Sequence, residues 1–168
     1  MTVKYVYLSL FTFVISGFLF VSFPQQSNFR LMKLTEKSDV ILTGKVVKQK
    51  SSWNANKTRI YTEATLQVDE YLKGNNKGNS VIVTYPGGEV GSVGELYSHM
   101  PRFSNDEDVL VFLKKDEREV GYKVYDGENG EIKIYTDPKT GEKVTSSSVR
   151  INYLKTKIKS FLKNVNKN

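Results

Sequence analysis

The 168-residue chain contains no cysteine, one histidine and one tryptophan. Without cysteine there is no disulfide framework, thiolate metal site, cysteine nucleophile or lipidated cysteine, so the packed core has to supply the stability. A solitary histidine, His99, also argues against a zinc site of the usual nitrogen and sulfur type. Acidic residues are missing from the C-terminal end: of 25 basic residues, seven follow Glu142 with no acid among them, leaving 18 basic and 18 acidic residues in 1–142. The net charge of +7 is therefore a tail property in sequence, and a neutral body gives no electrostatic footprint for nucleic acid. No internal repeat or long low-complexity segment occurs.

What is present starts with an apolar run. Tyr5 to Phe23 carry no charge and follow a single lysine, the pattern of an export segment long enough to cross a hydrocarbon core. No good small-x-small cleavage site follows, which leaves both a cleaved signal peptide and an N-terminal anchor open. The expectation is an exported protein, secreted or held at the outer face of the cell membrane by residues 5–23. Residues 24–39 read as a linker leading into a short helical turn. Setting aside the export segment leaves about 140 residues, enough for one domain.

Alternating apolar residues predict a strand over Val40 to Val47, then a loop over SSWNANKTR, then a strand over Ile60 to Leu72. Glu70 interrupts the apolar face of the second strand, which predicts a bulge or strand end beside it. Lys73 to Asn79 forms a turn and Val81 to Tyr85 a third strand. A connection of about twenty residues then leads to Val109–Leu113, apolar on both faces and so expected to be central and covered. Tyr122–Tyr125 and Glu131–Tyr135 flank DGENG and predict a hairpin. Ile151, Leu154, Ile158, Phe161, Leu162 and Val165 recur at helical spacing, predicting a basic amphipathic helix from about Ser147, capped by serines 146–148.

This pattern predicts a mainly β protein: a small OB-like Greek-key barrel of five or six strands over residues 40–145, with a C-terminal amphipathic helix in 146–168 and the apolar export segment in 1–23. The order SDVILTGKV, IYTEATLQVDEYLKG, VIVTYPGGEVG and EDVLVFLK resembles the netrin-like module of tissue inhibitors of metalloproteinases and netrin C-terminal domains, and cysteine-free modules of that shape in secreted bacterial proteins. The similarity covers roughly residues 34–136 and is sharpest at Ser38-Asp39-Val40, Tyr71-Leu72-Lys73-Gly74 and Asp108 to Lys114. In the metalloproteinase inhibitors a free N-terminal cysteine chelates the catalytic zinc. That group is missing here, so the resemblance implies the fold and not that mode of inhibition.

The connection after the third strand holds the candidate site residues. Gly87, Gly88 and Gly91 permit unusual backbone conformations, but GGEVGSVG has neither dinucleotide-binding nor phosphate-loop spacing. Glu89, Glu95, His99 and Arg102 complete a candidate partner-binding loop. Convergence of Glu95, His99 and Arg102 in one pocket would indicate acid–base chemistry, although no nucleophile or metal partner accompanies them. Asn105 to Asp108 lacks the spacing of a calcium loop and reads as a turn. Lys155, Lys159 and Lys163 are candidate contacts to an anionic membrane or wall polymer. The functional expectation is a non-enzymatic binding module without cofactor or metal at the bacterial cell surface. Its partner would be an extracellular protein or wall polymer, not nucleic acid. The alternative is an inhibitor or regulator of an extracellular hydrolase or metalloprotease.

Overall fold

The computed structural model describes residues 25–74, 78–117 and 121–165. The export segment expected at 5–23 lies outside them, and among the described residues no helix is long and apolar enough to cross a membrane. From Leu31 onward the described residues belong to one compact unit. Helix α1 (Gln25–Lys37) leads into β1 (Val40–Trp53), β2 (Ile60–Lys73) and β3 (Ser80–Pro86). A small hairpin of β4 (Gly88–Val90) and β5 (Val93–Glu95) follows, then β6 (Asp108–Lys115), β7 (Tyr122–Val124), a 3-10 turn (Gly127–Gly130), β8 (Glu131–Thr136), β9 (Lys143–Val144) and α2 (Ile151–Val165).

Five strands close a barrel in the order β1-β2-β3-β7-β6, with β6 pairing back onto β1. The β3–β7 seam is parallel and has one register pair, Val83 with Tyr122. The other four seams are antiparallel, so the chain adopts the OB-like Greek-key arrangement that its strand pattern predicts.

Alternation along β6 explains its unbroken apolarity. Val109, Val111 and Leu113 enter the barrel interior with Leu42, Val46, Ala64, Leu66 and Val83. Leu110 and Phe112 face the other way, into a second core with Ile41, Leu31 and Leu34 of α1, and Ile158 of α2. The apolar stripe of α2 suggests a helix laid over one open end of the barrel; α2 instead packs on the outer wall, because Ile158 buries against the outward-facing Ile41, Leu110 and Phe112.

A bulge changes which residues of β2 point inward. Thr43 pairs with Glu70 but Gly44 pairs with Val68, so Asp69 is the extra residue beside Glu70. Parity flips across it: Val68 and Tyr71 pack on the interior, while Leu72 joins the outer core. Unbroken alternation from Ile60 would place Leu72 on the inner face. Gly44 sits at the same irregularity, where a Cβ would lie 2.3 Å from the Gln67 carbonyl oxygen.

Several boundaries differ from the sequence expectation for physical reasons. The 24–39 linker is a thirteen-residue helix, because Leu31 and Leu34 bury against the barrel. Its carbonyl end is satisfied by Ser38 Oγ on Leu34 O and by Lys73 Nζ, which donates to the carbonyls of Thr35 and Glu36 at 2.8 and 2.9 Å. Strand β1 runs on through Ser51–Trp53, because this stretch pairs with Ile60–Thr62; the loop is only 54–59, turned by Asn54 Oδ1 accepting the Thr58 and Arg59 amides. Strands β7 and β8 are not a hairpin. Both run antiparallel to β6 along one edge, as one strand interrupted by the 3-10 turn. Helix α2 starts at Ile151, because Thr145 Oγ1 takes the amides of Ser147 and Val149 and Ser148 has a positive φ of 59°.

Ser38–Val40, the end of β2 and the end of β6 meet at one joint, where the Asp39 amide donates to the Leu113 carbonyl at 2.8 Å. Gly74 lies so close to β1 that a Cβ there would meet Val40 and the Asp39 carbonyl, Lys73 caps α1, and the Asp39 carboxylate accepts the Lys115 amide. Their shared role in this chain is to fasten α1 to the barrel.

Candidate functional site

At the end of the barrel away from α1, the inward-facing positions turn polar. Apolar Val46, Ala64 and Val83 give way to Gln49, Ser51, Thr62 and Tyr85 as their strands run on. The Thr62 hydroxyl donates to the Gly87 carbonyl at 2.6 Å and therefore accepts from Ser51 Oγ at 2.9 Å. Tyr85 donates to Gln49 Oε1 at 2.9 Å. Burial, followed by the neighbouring Glu131 carboxylate, pushes the Tyr85 phenol up to about 12, so it remains a donor at any ordinary pH.

The connection from Pro86 to Glu107 arches over this polar mouth and leaves a groove of about 590 Å3 beneath it. Ser51, Thr62 and Tyr85 line one side, and Leu96, Met100 and Arg102 the other. Beyond Val83, β3 and β7 part, and a second cleft of about 370 Å3 opens between them, lined by Tyr61, Thr84 and Lys123. Tyr85, Pro86, Met100 and Pro101 border both clefts.

The loop is pinned along its length. At its start the Gly87 amide donates to Ile60 O at 2.8 Å, and Glu95 Oε2 accepts the Ile60 amide at 3.0 Å and the Tyr97 hydroxyl at 3.0 Å. In its middle the His99 carbonyl accepts the Glu128 amide at 3.0 Å. At its end Phe103 is buried in the barrel core, edge-on to Tyr85. The backbone of Arg102 is gripped on both sides, its N–H by Glu131 Oε2 at 2.8 Å and its carbonyl by Lys133 Nζ at 2.8 Å.

The candidate residues take separate places in this frame. A Cβ on Gly87 would lie 2.9 Å from the Glu95 carbonyl, and one on Gly88 would lie 2.3 Å from both Ser51 Oγ and Thr62 Oγ1; both glycines have positive φ. Gly91, at φ 63°, turns the β4–β5 hairpin in open space. Glu89 is exposed on that hairpin. Glu95, His99 and Arg102 do not form an acid–base cluster: Glu95 binds β2, His99 Nδ1 meets Glu128 on the 3-10 turn at 3.0 Å, and Arg102 binds β8. The His99 side chain is 83% exposed. Among the described residues no group of three or more His, Asp or Glu could hold a metal ion. Lys155 and Lys159 each meet Glu70 at 2.9 Å, while Lys163 is exposed on the last turn of α2.

Two groups escaped the sequence reading. Glu131 is a buried carboxylate beside the groove wall; its parity opposite the outward Ile132 and Ile134 is the signal that could have found it. Glu70, read only as an interruption, is the partner of two helix lysines. No protein-family model and no curated protein matches the chain.

Proposed function

We propose that the protein is an exported, non-catalytic binding module at the bacterial cell surface that receives an extracellular protein or wall polymer at the groove under the 86–107 loop. The observation that carries this reading is the apolar crest on a pinned loop. Leu96 is 78% exposed at the lip of the groove, and Val93 is exposed on the adjoining hairpin. A single exposed apolar residue needs no explanation. Two beside a groove, on a backbone already fixed by its own hydrogen bonds, form a contact surface that loses little conformational entropy on binding. The polar mouth beneath adds neutral hydroxyl and amide groups that can fix a partner's orientation.

The test is capture from a cell-envelope extract with the whole chain as bait, comparing the unaltered protein with Leu96→Asp. Leu96 is 78% exposed, so the variant should keep the circular-dichroism spectrum and melting temperature while its capture of envelope material falls at least about tenfold, as for loss of an apolar anchor. Undiminished capture by a folded Leu96→Asp protein removes the groove from the account.

A further inference from the structure

Among the anchors of the 86–107 loop, one is a buried titratable carboxylate. The Glu131 side chain is 4% exposed. Its Oε2 accepts the Arg102 amide at 2.8 Å, but its Oε1 has no hydrogen-bond partner. The groups that face it are few. Lys133, on the same strand, stands 3.8 Å from Oε1, beyond hydrogen-bond reach, and is bound more closely by Glu107 of the loop at 2.7 Å. Tyr85 faces it from β3, and β6 opposes it with the apolar Val111.

We propose that the protonation of Glu131 secures the arm of the loop at Arg102 and Phe103, so that the groove is held most firmly in mildly acidic surroundings and loosens as Glu131 ionises. An ionised carboxylate buried with one bare oxygen is costly, and two events relieve that cost: it takes up a proton, or the arm lifts and admits water. Burial, and after it the Glu107 carboxylate facing it from the loop, raises the Glu131 carboxyl above the usual glutamate range against the opposing pull of the Arg102 amide and of Lys133. Lifting the arm returns it to that range. The closed arm therefore binds the proton more tightly than the lifted arm, and by linkage acidification favours closure. The stabilisation is complete below the ordinary glutamate value and is lost as pH rises through the raised one.

The consequence for binding rests on the groove being the contact surface, but the latch is measured on the protein alone. Hydrogen exchange at the Arg102 and Phe103 amides, corrected for the intrinsic pH dependence of exchange, should slow on going from about pH 7.5 to about pH 5, by up to about tenfold for each unit by which the carboxyl is raised. Glu131→Gln should abolish this pH dependence, and Lys133→Gln should shift it to higher pH. The Glu131 side-chain carbon resonance, titrated in the unaltered protein, should move in the same pH interval, which keeps the test decisive if a variant does not fold. Protection that is constant or decreases on acidification, an unchanged pH profile in Glu131→Gln, or titration of Glu131 within or below the ordinary glutamate range overturns the proposal. Failure to capture a partner bears on the groove and leaves this result standing.

Discussion

Gly88 and Gly91 lie three residues apart and do different things. A Cβ on Gly88 would drive into the Ser51–Thr62 hydroxyl pair from a backbone at φ 127°, whereas a Cβ on Gly91 would meet no atom within 4 Å. Gly88→Ala should therefore cost about 2 kcal/mol or more, from strain and from disrupted buried hydroxyls. Gly91→Ala carries only the left-handed backbone penalty of about 1 kcal/mol. Urea unfolding of the two variants checks this ranking, and equal losses would contradict it. The sequence pointed to all three loop glycines but could not separate corner from crest, because the difference lies in what β1 and β2 bring to Gly88 from across the barrel. The same holds for Glu95, His99 and Arg102: they are close in the chain, yet each is claimed by a different strand or turn.

At the scale of elements, α2 shows which contacts dominate. Ile158 is fully buried between the helix and the barrel wall, and Ile158→Ala should cost about 2–5 kcal/mol. The Glu70 pairs with Lys155 and Lys159 are part-exposed, with 38% of the Glu70 side chain open to solvent, so Glu70→Gln should cost no more than about 1 kcal/mol near neutral pH. Hydrogen bonds from Lys159 and then Lys155 lower the Glu70 carboxyl below its usual range. Its contribution is thus present above the unfolded-state value and fades as pH falls through the lowered one. Chemical denaturation at about pH 7 and about pH 3 should show the wild type and Glu70→Gln converging under acid; a widening gap would contradict the pairing.

The helical spacing of α2 and the apolarity of β6 were legible because each repeats over many residues. Helix starts and the β7–β8 relation were not. Thr145 captures the amides that serines 146–148 were expected to cap, and DGENG connects two segments on one edge of β6 where local chemistry suggests a hairpin. The bulge beside Glu70 was foreseeable from a charged residue on an apolar face, but the outward turn of Leu72 that follows from it needs the register.

For the whole molecule, the largest change concerns charge. The seven basic residues from Lys143 onward form an unmatched block in sequence, yet Lys143 meets Asp108, Arg150 meets Glu142, and Lys155 and Lys159 meet Glu70. The fold pairs four of the seven with acids elsewhere in the chain, and the two α2 lysines among them share the single carboxylate of Glu70. Barrel closure also depends on distant partners, above all the single parallel pair Val83–Tyr122, which no local pattern encodes. The proposed contact surface is the end of the barrel where polar inward positions meet the pinned loop. The most direct test places a photo-crosslinking side chain at Leu96, Glu89 or Arg102, and at Tyr153 or Lys163 on α2 as controls, and irradiates cells making the protein. Adducts from the three loop positions and none from α2 are the expected result; adducts from α2 alone, or equally from both surfaces, would contradict the groove as the site of recognition.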